Sequence, residues 1–198
     1  SIDTYEFPKG INKGEIVQYI GITGAKGNNC SNIKNLIKYV DSKLPPEIIE
    51  SAFVLSYKDA ISDWKDAGYK IPYAQDENGE QTAIHLANSA GLDFLKGQTV
   101  IVVGKYDDNE EVYFDKYYDL YPDRTDKPKR ITQTVQLSGK SMKMFLWEDE
   151  QLRELQLEKY RQYTEQPAGR ARALRQENAR VYLFSNYPIE EEDKIYND

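Results

Sequence analysis

The sequence predicts an α+β protein: a mainly antiparallel sheet with helices segregated at its edges, a helical C-terminal arm and an acidic tail. Two observations carry this. Short β-branched and aromatic runs come in adjacent pairs separated by turn residues, at 97–106 and 110–121 and again at 130–138 and 141–147. Apolar residues at the helical period cluster near 31–43 and 148–164 instead of alternating with every strand.

In chain order, residues 14–23, GEIVQYIGIT, are β-branched and aromatic with poor alternation, which predicts a strand buried for most of its length. A loop follows from Gly24 to Cys30. Ser31 then caps a helix that ends near Lys43, with Ile33, Leu36, Ile37, Val40 and Leu44 on one face. Pro45-Pro46 stops it. Residues 51–57, SAFVLSY, form a second strand, and a short helix over 58–67 ends at Gly68. A turn at 75–80 precedes a short helix over 81–89. The strand 97–106 pairs with 110–121 across Asp107-Asp108-Asn109. After the polar loop YPDRTDKPK, a second hairpin joins 130–138 to 141–147 through Gly139-Lys140. From Glu148 the period is helical through Leu152, Leu155, Leu157, Tyr160 and Tyr163, and Pro167-Ala168-Gly169 breaks it. An arginine-rich helix over 170–179 leads to a last strand, 180–187, and the acidic tail.

A chain of 198 residues holds one core and an arm, so it divides into an α+β body, 1–147, and a C-terminal segment, 148–198, of helix, final strand and tail, packed on or projecting from that body. No apolar run approaches the roughly 20 residues that span a bilayer, and Ser1-Ile2-Asp3-Thr4 lacks the basic and apolar regions of a signal peptide. Cys30 is the only cysteine, which excludes an internal disulfide. A cytoplasmic protein, or one incorporated into a particle assembled there, is expected, with no membrane partner. The net charge of −7 is unevenly spread. Residues 1–123 carry 12 lysines against 20 acids, whereas 124–180 carry 13 basic residues against 8 acids. Every arginine lies between Arg124 and Arg180. Guanidinium forks suit carboxylates, phosphates and packed interfaces, so this last third reads as the part that meets a partner.

No catalytic residue, cofactor or metal ligand is assigned. His85 is the only histidine, which excludes a histidine metal site, and neither it nor Cys30 has an orienting third group in view. Gly21, Gly24 and Gly27 open a helix, where backbone amides can cradle an anion, but their spacing is not the dinucleotide fingerprint and the loop reads as structural. SGKS at 138–141 has the end of a phosphate-binding P-loop, yet Thr134 stands where that loop has a glycine, and a hairpin turn is the better reading. The acidic run from Asp107 to Asp119 lacks the ligand spacing of a calcium loop and reads as a solvated hairpin tip.

Tyr19-Ile20-Gly21, followed by a helix, resembles one half of the GIY-YIG nuclease core. Gly10-Ile11-Asn12 is the near-match to the first tripeptide, without its tyrosine, and Lys34 and Lys38 stand on the helix where that family has an arginine. The resemblance implies a metal-dependent nuclease that uses Tyr19, with Glu47 or Glu50 as metal ligand, and it ranks third among the readings.

The first reading is a non-enzymatic assembly or interaction protein, such as a structural component of a phage or other macromolecular particle. Its contact residues are Asp107, Asp108, Tyr113 and Tyr117 on the acidic hairpin, and Arg170, Arg172, Arg175 and Arg180 on the arm. Complementary ends of this kind suit self-assembly or docking on a protein partner. The alternative is nucleic-acid binding through Lys127, Lys129, Arg130, Lys140 and Lys143 together with the arginine helix.

Overall fold

The computed structural model describes residues 14–20, 33–75, 78–89, 95–105, 107–137, 139–169, 171, 176–189 and 194–196. Its main sheet contains β1 (Glu15–Tyr19), β2 (Phe53–Leu55), β5 (Thr99–Val103), β8 (Arg180–Phe184) and β9 (Lys194–Tyr196), in the order β2-β5-β8-β1-β9. All four pairings are parallel, which overturns the expected antiparallel sheet. The physical reason is burial on both faces. Val100 to Val103 are 0% exposed, and Ile16 to Tyr19 and Val181 to Phe184 are buried without interruption. A strand covered on both sides needs apolar residues at successive positions, not alternate ones.

Among the described residues, antiparallel pairing occurs in two ribbons. One joins β3 (Tyr73–Gln75) to β4 (Gln81–Ala83) across the turn expected at 75–80, and the other joins β6 (Arg130–Leu137) to β7 (Lys140–Trp147) as the sequence indicates. The helix expected over 81–89 is instead β4 followed by a single 3-10 turn at Leu86–Asn88.

Helix α1 (Ile33–Lys43) buries Ile33, Leu36, Ile37 and Val40, the face its period predicts. After α2 (Pro46–Ser51), α3 (Ile61–Asp66) buries Trp64 edge-on against Tyr69 at 4.9 Å. The larger correction is α4 (Glu110–Leu120), which stands where a second hairpin strand was expected. Asn109 is extended ahead of it, and Glu110 and Glu111 occupy the first turn, where unpaired N–H groups favour negative charge. Helical spacing brings Tyr113 and Tyr117 to one side, buried with Trp147 and Leu152. That burial outweighs the strand preference of valine and tyrosine. Helix α5 (Glu150–Gly169) continues through Pro167, past the expected break. Of the helix expected over 170–179, Arg170 and 172–175 lie outside the described residues, and Gln176 to Ala179 form a turn. No helix among the described residues is long and apolar enough to cross a membrane.

Strand β8, from the C-terminal segment, lies in the middle of the sheet between β5 and β1. Its onward connection to β9 must pass β1, and a single side chain of β1 holds that passage. Gln18 is 0% exposed; its Nε2 donates to the carbonyls of Ser185 (3.0 Å) and Tyr187 (2.7 Å), and its Oε1 accepts from the Ile189 amide (3.1 Å). Three buried backbone groups with no ladder partner are thereby satisfied. Gln18→Leu keeps the volume but strands all three, and unfolding in urea should show a loss of roughly 3 kcal/mol or more. A loss below about 1 kcal/mol would show that the crossing does not depend on Gln18.

Candidate functional site

The carboxyl ends of β5 and β8 assemble the polar groups of this protein. Gly104 leaves β5 with φ +103°, and a Cβ there would collide with the Tyr57 ring. The Tyr57 hydroxyl accepts from the Lys105 amide and donates to the Lys105 carbonyl, both at 3.1 Å, so this turn is clamped from β2's side. Burial pushes that hydroxyl up to about 12, which keeps it a donor. Val103 pairs with Phe184, so Lys105 and Asn186 each stand two residues beyond the last paired position of neighbouring strands. The Lys105 ammonium lies 4.2 Å from the centre of the Tyr160 ring. Burial pulls it down to about 8; Asp107 opposes that shift and Arg130 adds to it. This ammonium makes no hydrogen bond or ion pair with a described residue, and neither does the side chain of Asn186, which is 8% exposed.

Beside Lys105, Asp107 gathers donors from three elements. Its Oδ1 accepts from the Tyr113 hydroxyl of α4 at 2.7 Å. Its Oδ2 accepts from Arg130 Nη1 (2.9 Å) on β6, and from Gln156 Nε2 (2.9 Å) and the Tyr160 hydroxyl (2.8 Å) on α5. The Arg130 side chain, 9% exposed, stacks over Trp147 at 4.4 Å and Tyr113 at 5.3 Å. Its Nε and Nη2 make no hydrogen bond. Burial, with the Asp107 charge second, pushes the Tyr113 and Tyr160 hydroxyls well above their ordinary range and keeps both protonated. Asp108 meets Lys159 at 3.3 Å. With Asp107 bonded to Arg130 and Asp108 paired with Lys159, the Lys105 ammonium is left without an ion pair among the described residues. Chemically, among the described residues the site offers a cation without an ion pair and an amide without a hydrogen bond beside the Asp107 network.

The expected contact residues are dispersed. Tyr113 and Tyr117 are 0% and 2% exposed, and Asp107 and Asp108 pair with cations of the same chain. Arg180 is exposed at the start of β8, the edge opposite Asp107. Arg170, Arg172 and Arg175 lie outside the described residues. Tyr19, central to the nuclease resemblance, is 9% exposed and stacked on Phe184 at 4.6 Å, while Gly10 to Asn12 lie outside the described residues. Cys30 lies outside them as well, and His85 caps the turn before Leu86, accepting from the Ala87 amide at 3.2 Å. Sequence reasoning did not single out Lys105, Gln156, Tyr160 or Asn186. For Lys105 and Asn186 the available signal was position, two residues beyond the apolar runs TVIVV and RVYLF.

Among the described residues no three histidine, cysteine, aspartate or glutamate side chains gather as a metal site. Comparison of the chain with protein families, with characterised proteins and with solved structures finds no match.

Lys105 has a measurable signature. Its folded value near 8 lies below the roughly 10.4 of an unfolded lysine, so between these values the unfolded chain binds more protons and stability rises with pH. Urea unfolding from pH 8 to about 9, below the range in which unfolded tyrosines ionise, should show a gain of about 1 kcal/mol. In Lys105→Met that gain should vanish; an unchanged slope would show that another group titrates.

Proposed function

We propose that this protein binds a small phosphate-bearing ligand at the carboxyl edge of its parallel sheet. The observation that carries the reading is the placing of half-buried Lys105 and buried Asn186, neither side chain with a described hydrogen-bond or ion-pair partner, just beyond the ends of adjacent strands. Keeping such groups unpaired costs free energy, which a bound anion would recover. The general position agrees: open parallel sheets bind ligands outside the carboxyl ends of their strands, which is where Lys105 and Asn186 stand.

Calorimetry and thermal shift with inorganic phosphate, pyrophosphate and ATP test this reading. Pyrophosphate or ATP should bind at pH 7 and raise the melting temperature. Lys105→Met should weaken binding at least tenfold, and Asn186→Ala by a smaller factor. Failure of all three anions to bind at millimolar concentration, or equal binding by both variants, would remove the proposal.

Assembly with a protein partner stands as a second proposal. Val112 and Leu120, 42% and 46% exposed on α4, favour it, since they offer apolar area beside the acidic residues of that helix. Native mass measurement at low salt should give a multiple of 22.9 kDa; a monomer with no partner would end it.

A further inference from the structure

We propose that the outer face of the β6–β7 ribbon binds single-stranded nucleic acid. Residues 127–147 carry five basic side chains and no acidic one, in a chain whose net charge is −7. Arg130 is taken up by Asp107, but Lys127, Lys129 and Lys143 are exposed. Alternation along the ribbon gives it two faces of different chemistry. Met144 and Leu146 turn inward and are buried, Met144 and its neighbours packing with Tyr160 and Tyr187. The opposite positions, Thr132, Thr134, Gln136, Ser141, Lys143 and Phe145, are exposed. Register sets Thr132 across from Phe145, Thr134 across from Lys143 and Gln136 across from Ser141.

This face is uncharged and hydrogen-bonding except for its lysine, and it carries one aromatic ring, Phe145, at 44% exposure. A folded surface of hydroxyl and amide groups with an aromatic ring, one lysine and flanking lysines matches unpaired bases joined by phosphates: the ring stacks, hydroxyls and amide meet base edges, and ammonium groups meet phosphates. An acidic protein surface would use the lysines but not the ring. Duplex DNA keeps its bases stacked away from Phe145. The base of the ribbon, at Arg130 and Trp147, is covered by Tyr113 and Phe114 of α4. Glu110, Glu111, Asp115 and Asp119 on that helix would repel phosphate, so the bound strand runs from Lys129 toward the ribbon tip.

Fluorescence anisotropy with labelled oligothymidine and oligouridine, against a duplex of equal length and a polyglutamate competitor, tests the proposal. Single strands should bind, with log affinity falling against log salt with a slope of about −1.4, as two phosphate contacts at Lys129 and Lys143 give. Lys129→Glu with Lys143→Glu should reduce affinity at least tenfold. Phe145→Ala should reduce it about tenfold, as loss of one stacked base does. Lys58→Glu with Lys65→Glu, exposed but remote in sequence from the ribbon, should leave it unchanged. All of these side chains are exposed, so far-UV circular dichroism should match the parent chain. Absence of binding at low salt, tighter binding of duplex, full displacement by polyglutamate, or indifference to the ribbon substitutions would overturn it.

Discussion

One carboxylate holds the long insertion between β5 and β8 to the sheet. Asp107 leaves the end of β5 and receives hydrogen bonds from α4, β6 and α5, the elements that make up that insertion. A largely desolvated carboxylate tolerates this position only when donors surround it, and breaking such a pair costs about 3–5 kcal/mol. The requirement works in both directions. Arg130, enclosed between two aromatic rings, needs the carboxylate as much as the carboxylate needs Arg130. Apolar packing of Trp147, Leu152 and the α4 tyrosines would allow several relative placements of these elements; the directional bonds to Asp107 select one.

That selection also fixes the surroundings of Lys105. Tyr160 presents its hydroxyl to Asp107 and its ring face to the ammonium, so the anchor and the cation share one side chain. Gln156 ties the same aspartate to Tyr160 and accepts from the Trp147 amide. Rigidity at the edge of the sheet thus derives from the insertion, while the strands supply only the positions from which Lys105 and Asn186 emerge.

Much of the secondary structure was legible in the sequence because local pattern and tertiary environment agree there. The face of α1 is built from Ile33, Leu36, Ile37 and Val40 at the helical period, and the β6–β7 ribbon follows its alternation around Gly139, at φ +73°. Segment 110–120 was misread since Val112, Tyr113, Tyr117 and Tyr118 favour strands in isolation, whereas the partners that make them helical, Trp147 and Leu152, are more than 25 residues away. Parallel pairing was present as unbroken apolar runs, but such runs do not declare their partners, and Glu15 finds Arg180 across nearly the whole chain. The site was hidden for a related reason. Lys105, Asp107, Arg130, Gln156 and Asn186 have no common spacing, and only the sheet and the Asp107 network make them neighbours.

The place of β8 also bears on how the chain is made. β1 is synthesised well over 150 residues before its two sheet neighbours, residues 180–184 and 194–196. At typical elongation rates the ribosome needs about ten to thirty seconds to supply them. Through that interval the apolar strand Glu15–Tyr19 has neither parallel partner, and the crossing that Gln18 secures does not yet exist. Sheets closed by such distant pairings fold slowly. An apolar strand is thus made long before the residues that pair with it, the condition in which chaperones hold a nascent chain until those residues arrive.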